Sequence, residues 1–495
     1  MAWQPYEKNS NTSFDVVIVG AGISGINFAY RLQERHPELS YAILEGRHEI
    51  GGTWSLFQYP GIRSDSDLYT FGFKWRPWND KGSIAKGDLI QRYVKESAEM
   101  YHIDEKIHFH HKVRSADYST SDKLWSLDVD ANGQSKTFKA RFMLLGTGYY
   151  NYDEPLETVI PGIDTFKGTV VHPQFWPADL DYTDKDVVVI GSGATAVTVL
   201  PVMAKTAKHV TMLQRSPGYI VSIPSEDGLE KLVRFVFGWW PAAQHLIFRL
   251  KWIWASFYIT TLSALIPKIV RAQLLKRVTK VLPPNIPVDP HFTPKYNPWE
   301  QRMCLCPDGD FFDGLKSGRA SVETGIIDTI TPNSIKLKSG AELHPDIIVT
   351  ATGLKLQFAG GIKISVDNKA LNLSEKFIWK GLMIEDLPNA AFSFGYVDAS
   401  WTLGADASAQ LICRLVATMK QEGVVEVTPR RSELEKQTLQ PKNLLRLNST
   451  YVEKASSVTP KAGDRGQWIP RTHYMRDLWN AKFGDIRTSL DWVKA

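Results

Sequence analysis

An α/β fold is predicted by three observations in this 495-residue sequence. A buried-strand run, a glycine-rich turn and a helical pattern follow one another near the N-terminus, and the same succession returns near residue 190. Two further apolar runs end in Thr-Gly, over Phe142–Gly148 and Asp346–Gly353. The stretch from about Leu229 to Leu282 has helical spacing instead. Together they predict two Rossmann-like dinucleotide-binding domains with a helical insert.

The first fold begins with Asp15-Val16-Val17-Ile18-Val19, which reads as a strand buried on both faces. Gly20-Ala21-Gly22-Ile23-Ser24-Gly25 then makes G-x-G-x-x-G, and a helical pattern runs from about Ile26 to Arg35. The first glycine permits a tight turn. The second lets a pyrophosphate approach the backbone, and the third lets helix and strand pack closely. Free N–H groups and the dipole at the helix N-terminus bind the phosphates. Tyr41-Ala42-Ile43-Leu44 is the next strand, closed by Glu45. That acid lies roughly 20 residues beyond the last glycine, where a ribose hydroxyl needs an acceptor.

The second fold begins with Asp186-Val187-Val188-Val189-Ile190 and the turn Gly191-Ser192-Gly193-Ala194-Thr195-Ala196, with a helical stretch to about Lys205. The following strand, His209–Leu213, ends in Gln214-Arg215-Ser216. An acid there would repel a 2′-phosphate, whereas an arginine clamps it with charge-assisted hydrogen bonds. At about 1.5–3 kcal/mol for such a bond, Arg215 favours NADP over NAD by roughly tenfold to a hundredfold. The acid-ended fold therefore suits FAD and the arginine-ended fold NADPH. Asp346–Gly353 reads as a strand returning to the first sheet. The expected layout is an FAD domain over 1–165 and 346–495, an NADP domain over 166–228 and 296–345, and the insert at 229–295.

Composition narrows the class. The net charge of +5 is small for the length and points to no nucleic-acid surface. Three cysteines, Cys304, Cys306 and Cys413, build no disulfide framework, and C-x-C lacks the spacing of a dithiol redox centre. No metal site is expected. The polar first fifteen residues lack a secretory h-region, which predicts a cytoplasmic location. The longest uncharged apolar stretch, Trp252 to Pro267, is shorter than the roughly 20 residues that a spanning helix needs.

Two dinucleotide folds fit several flavoenzyme classes, and the connecting segments decide among them. Gly51-Gly52-Thr53-Trp54 precedes Tyr59-Pro60-Gly61-Ile62-Arg63-Ser64-Asp65. Between the folds lies Phe166-Lys167-Gly168-Thr169-Val170-Val171-His172-Pro173-Gln174-Phe175-Trp176-Pro177. In these segments the chain resembles type I Baeyer–Villiger flavin monooxygenases, matching F-x-G-x-x-x-H-x-x-x-W-P and [AG]-G-x-W-x-x-x-x-[FY]-P-[GM]-x-x-x-D. Tyr296–Arg302 and Gly395–Leu403 resemble the branch of an ethionamide-activating monooxygenase and of long-chain alkane flavin monooxygenases.

The resemblance implies FAD, NADPH, O2 and a small apolar organic substrate. NADPH reduces the flavin, oxygen gives a C4a-peroxyflavin, and one oxygen atom enters a ketone or oxidises a sulfur or thioamide group. A fixed cation and a dry site protect that anion. The matching cation here is Arg302, positioned by Asp65, although Trp299-Glu300-Gln301 replaces the family's usual G-C-K before it. Expected FAD contacts are Gly20, Gly22, Ser24, Gly25, Glu45, Gly52, Thr53, Trp54, Arg63, Asp65 and Val113. Expected NADPH contacts are Gly191, Ser192, Gly193, Ala194, Thr195, Arg215 and Ser216. His172 is expected to transmit domain position rather than protons. The alternatives are an NADPH oxidase or reductase, an alkane hydroxylase, and a membrane-docked binding protein without turnover.

The insert is distinctive by charge. No Asp or Glu occurs from Lys231 to Val288, and nine basic residues lie between Lys231 and Lys280 among tryptophans and phenylalanines. Helix breaks are expected at Pro241 and Pro267. Such a pattern suits a lid at the substrate entrance, packed on the NADP domain, with peripheral membrane contact through 229–282.

Overall fold

The computed structural model describes residues 11–396, 398–445 and 457–495. Strand β1 (Ser13–Val19) leads through the glycine turn into α1 (Ile23–Arg35), three residues earlier than the spacing suggested, and returns as β2 (Tyr41–Leu44). β1 and β2 are parallel, with Val16 opposite Tyr41 and Val19 opposite Leu44. Both are almost wholly buried, which explains their uninterrupted apolar sequence. Asp67 then caps the short helix α2 (Leu68–Phe71) by accepting from Thr70 N.

Four strands extend this sheet: β3 (Ile107–His108), β4 (His111–Ser119), β5 (Leu124–Ala131) and β6 (Gln134–Leu145). β4 and β5 alternate buried and partly exposed residues, as an antiparallel ladder with one covered face requires.

The second sheet is built from β7 (Thr169–Val171), β8 (Asp186–Ile190), β9 (His209–Gln214), β12 (Ala320–Thr324) and β13 (Ile347–Thr350). Its order is β12-β9-β8-β13-β7, and every pair in it is parallel. Helix α3 (Ala194–Met203) follows β8. Beside this sheet, β10 (Ile220–Ile223) pairs with β11 (Cys304–Pro307).

The position of β13 corrects one expectation. Ile347–Thr350 lies between β8 and β7, in the second sheet rather than the first. The chain rejoins the first sheet only at β14 (Lys363–Val366), which runs parallel to β4 and forms a hairpin with β15 (Lys369–Ala370). β16 (Ala390–Phe392) then pairs with the end of β6. A fully apolar run says only that a strand is buried on both faces, and both sheet centres satisfy that.

The insert forms three helices, α4 (Gly228–Val236), α5 (Pro241–Leu265) and α6 (Pro267–Val281). Pro241 and Pro267 are first helical residues, where a missing N–H costs nothing. Contrary to expectation, the insert does not sit on the second sheet alone. Phe248 of α5 packs at 4.8 Å from Tyr69 of α2. Arg249 Nη1 donates to Tyr69 O at 2.9 Å and to Gly72 O at 3.1 Å. Burying Phe248 is worth about 1.5–3 kcal/mol. Leu274 of α6 instead joins Tyr219 and Met303 beside β10 and β11, so the insert straddles both halves.

Two late helices complete the first half. α7 (Trp401–Glu422) packs on α1 through the buried Arg31–Asp406 pair, 2.7 Å apart, and α8 (Tyr474–Phe483) packs on α7.

Candidate active site

Both glycine turns open into one cavity of about 1000 Å³. Gly20, Gly22 and Ser24 line it from the first half; Gly191, Ser192, Gly193, Ala194 and Thr195 line it from the second. Neither α1 nor α3 has a side-chain cap on its first turn. Their terminal N–H groups therefore remain available to an anion, the condition for phosphate binding.

The individual glycines divide the work. Gly20 adopts φ +99°, and a Cβ there would lie 2.8 Å from Gly146 O. Gly25 does not line the cavity. A Cβ on it would lie 1.9 Å from Gly20 O, so it serves the packing of α1 on β1. Around Gly193 nothing lies within 4 Å of a Cβ position. Two dinucleotide pyrophosphates fit these turns.

Glu45 closes β2 with its carboxylate turned back to the turn. One oxygen accepts from Ala21 N at 2.7 Å and the other from Arg47 N at 2.9 Å. A carboxylate has about four lone-pair sites, so both oxygens keep capacity for a ribose hydroxyl. Gly52 approaches Gly22 closely, and Thr53 hydrogen-bonds Tyr152, whose phenol burial raises. Trp54 meets Phe71 edge-on at 5.6 Å. Val113 is buried at the cavity wall. At the end of β9, Arg215 and Ser216 stand exposed at the cavity rim.

Two ion pairs bridge the halves. Arg302 Nη2 donates to Asp65 Oδ1 at 2.8 Å, and both residues line the cavity. Arg63, which lines it too, is paired with Asp310. Cys304 lies nearby, and burial pushes its thiol up to about 12, so it is a protonated wall residue rather than a nucleophile.

His172 lies outside the lining. Gln174 N donates to its Nδ1 at 3.2 Å, and Gln174 Nε2 donates to Asn151 O at 2.8 Å. Burial lowers the imidazole pKa, opposed by a contact with Gly353. This neutral histidine lies in the connection between the sheets, outside the cavity wall.

Tyr59, Gly61 and Trp401 stood in the matched segments, but nothing in the sequence announced their contacts. The Tyr59 hydroxyl bonds the Thr195 side chain, and burial pushes that phenol up to about 12. Gly61, at φ +79°, leaves no room for a Cβ, which would lie 2.5 Å from Val202 Cγ2 of α3. Its place in the Tyr59–Asp65 signature was visible, but its contact with the other half was not. Trp401 stacks on Tyr149 at 4.9 Å and donates from Nε1 to Ser24 Oγ at 3.0 Å. Of the Gly395–Leu403 segment, Val397 lies outside the described residues.

Known proteins resemble this chain in sequence and in fold. Residues 78–237 match the model of flavin-binding monooxygenase-like proteins, and residues 18–79 match that of NAD(P)-binding Rossmann-like domains. A probable FAD-binding monooxygenase of Acinetobacter baylyi, AlmA, is 46% identical over 95% of each chain. The FAD-containing monooxygenase EthA of Mycobacterium tuberculosis is 44% identical over 95% of this chain and 96% of its own. A steroid monooxygenase bound to NADP superposes with a TM-score of 0.76 at 20% identity, covering 98% of this chain and 100% of that one.

Proposed function

This chain belongs to the flavin-binding monooxygenase-like family, and we propose that it is an FAD-containing, NADPH-dependent monooxygenase of the Baeyer–Villiger type. The net reaction consumes a ketone, O2, NADPH and a proton, and yields an ester, NADP+ and water. Sulfur and thioamide groups are the further acceptors. The observation that carries this reading is the Asp65–Arg302 pair, set in the same cavity as both glycine turns.

Bound flavin, reduced by NADPH, supplies the oxygen-activating chemistry. The chain's own residues position it. Gly20, Gly22, Ser24 and the α1 N-terminus would hold the FAD pyrophosphate, with Gly25 letting α1 pack on β1; Glu45 would accept from its ribose, and Gly52, Thr53, Trp54, Arg63 and Val113 bound the same compartment. Gly191 to Thr195 hold the NADPH pyrophosphate, with Arg215 and Ser216 at its 2′-phosphate. Arg302 holds a fixed positive charge where negative charge develops during oxygen transfer, and Asp65 orients its guanidinium. Gly61, Tyr59 and His172 keep the halves in register. The helices of the insert form part of the entrance for apolar substrates and contact a membrane peripherally. No single helix among the described residues is long and apolar enough to cross one.

Arg302→Ala separates reduction from oxygenation. Hydride transfer needs both nucleotides placed but no cation reserved for oxygen. The variant should bind FAD and be reduced by NADPH, yet release peroxide in place of product. Stopped-flow absorbance with product analysis reads both steps. Oxygenation at the parent rate would remove Arg302 from the mechanism.

A further inference from the structure

The insert presents a surface that the chemistry above does not use. Leu246, Leu250, Trp254, Tyr258, Leu262 and Leu265 are all exposed, and their spacing of about four residues puts them on one side of α5. Phe235 and Trp239, before α5, are 87% and 78% exposed. Trp239 stacks on Trp240, which is also exposed. Large apolar surface of this extent marks an interaction site.

The surrounding charge selects the partner. Of the nine basic residues, Arg249 is buried, Lys251 pairs with Asp227 and Glu230, and Arg234 pairs with Glu226. Arg271 donates to Tyr296 O, and Lys231, Lys268, Lys276, Arg277 and Lys280 remain exposed, with no acid between Lys231 and Val288. Apolar and aromatic side chains flanked by cations match an anionic lipid surface. A second copy of the same face would bring cations against cations.

The flank of α5 leads inward. Ile253, Phe257 and Thr260 line a small cavity of about 30 Å³ closed by Tyr396, Leu403 and Met475. Tyr396 also lines the large cavity, so a single side chain borders both spaces. The Tyr396 ring is buried and its hydroxyl donates to Asp477 Oδ2 at 2.7 Å. The Phe257 ring lies 5.3 Å from that of His473.

We propose that α5 is the wall between an anionic lipid surface and the active-site cavity, and that apolar substrate leaves the lipid along the Phe257 flank and passes Tyr396. The inference rests on the oxygenase reading for what happens in the large cavity. It adds the lipid phase as the source of substrate and a route from it.

The test uses the full-length flavoprotein and 2-dodecanone, supplied either in phosphatidylcholine–phosphatidylglycerol vesicles or as a cyclodextrin complex in water. The parent protein should float with the vesicles, less so at high salt. Trp239→Ser/Trp240→Ser should lose flotation. Phe257→Trp fills the small cavity and should still float. Its kcat/KM on vesicle-borne ketone should fall at least about fivefold more than on the cyclodextrin complex. Ile253→Phe narrows the same flank and should reproduce that split if Phe257→Trp folds poorly. Failure of the parent to float at either salt concentration overturns docking. A dimer that dissociates in the double tryptophan variant overturns it in favour of a second copy. Flotation with equal losses in both presentations overturns the route. Flotation without product from either presentation sinks the oxygenase reading and leaves docking standing.

Discussion

The two glycine turns share a spacing and differ in how they are closed. In the first, Gly52 packs across Gly22, and a Cβ on Gly52 would lie 3.1 Å from Gly22 Cα. Glu45 is only 8% exposed, and both its oxygens accept from backbone N–H groups. Trp401 Nε1 donates to Ser24 Oγ in the first turn of α1. In the second, Gly193 faces open space, and Arg215 and Ser216 stand in solvent. Hydrogen bonds to charge strengthen as water is excluded. An enclosed socket therefore suits a nucleotide that stays through many turnovers. An open one suits a nucleotide that is exchanged once in every turnover.

The largest expected effect tests this contrast at its centre. A Cβ at Gly22 meets its nearest neighbour, Gly52 Cα, at an ordinary 3.6 Å, so a circular-dichroism spectrum like the parent's is the expected control for Gly22→Val. The added side chain fills the approach of the pyrophosphate, so the purified protein should be colourless. Gly193→Val should stay yellow and fail to be reduced by NADPH. A yellow Gly22→Val protein, or a colourless Gly193→Val protein, would exchange or dissolve the two assignments.

A smaller effect sharpens the contrast at the strand ends. Arg215→Ala should lower the preference for NADPH over NADH by roughly tenfold to a hundredfold, read as the ratio of kcat/KM for the two cofactors. Equal losses for both cofactors would make Arg215 an ordinary surface charge. The smallest effect belongs to Glu45→Gln. The amide oxygen can still accept from Ala21 N, but its NH2 group would face Arg47 N–H without an acceptor. FAD affinity should fall by about 1 kcal/mol, roughly fivefold, as a charged acceptor becomes neutral. Titration of apo-protein with FAD measures it, and an unchanged affinity would place the ribose elsewhere.

The insert shows where sequence patterning stops. Its second and third helices begin at Pro241 and Pro267, where local rules favour proline. Its basic residues looked alike along the chain. In the fold Arg249 is buried on the backbone of α2, whereas Lys276 and Lys280 remain in solvent. Charge composition counts cations and does not reveal which ones have found partners.

The glycine turns, the acid after β2 and the arginine after β9 were legible because each lies within a short, contiguous stretch. There, spacing alone dictates backbone geometry and which N–H groups are left free at a helix start. What crosses between distant stretches was decided only by tertiary packing. β13 joined the second sheet although its apolar run suits either one. Asp310 came to Arg63 across 247 residues, a pairing that no motif announced. The resemblance alone, and no local pattern, tied Asp65 to Arg302, 237 residues apart. Tyr59 reached Thr195 and Gly61 reached Val202 by the same long-range closure. Periodicity reports which face of an element is buried. Which neighbour buries it depends on chain connectivity and on the shape of the surfaces that meet.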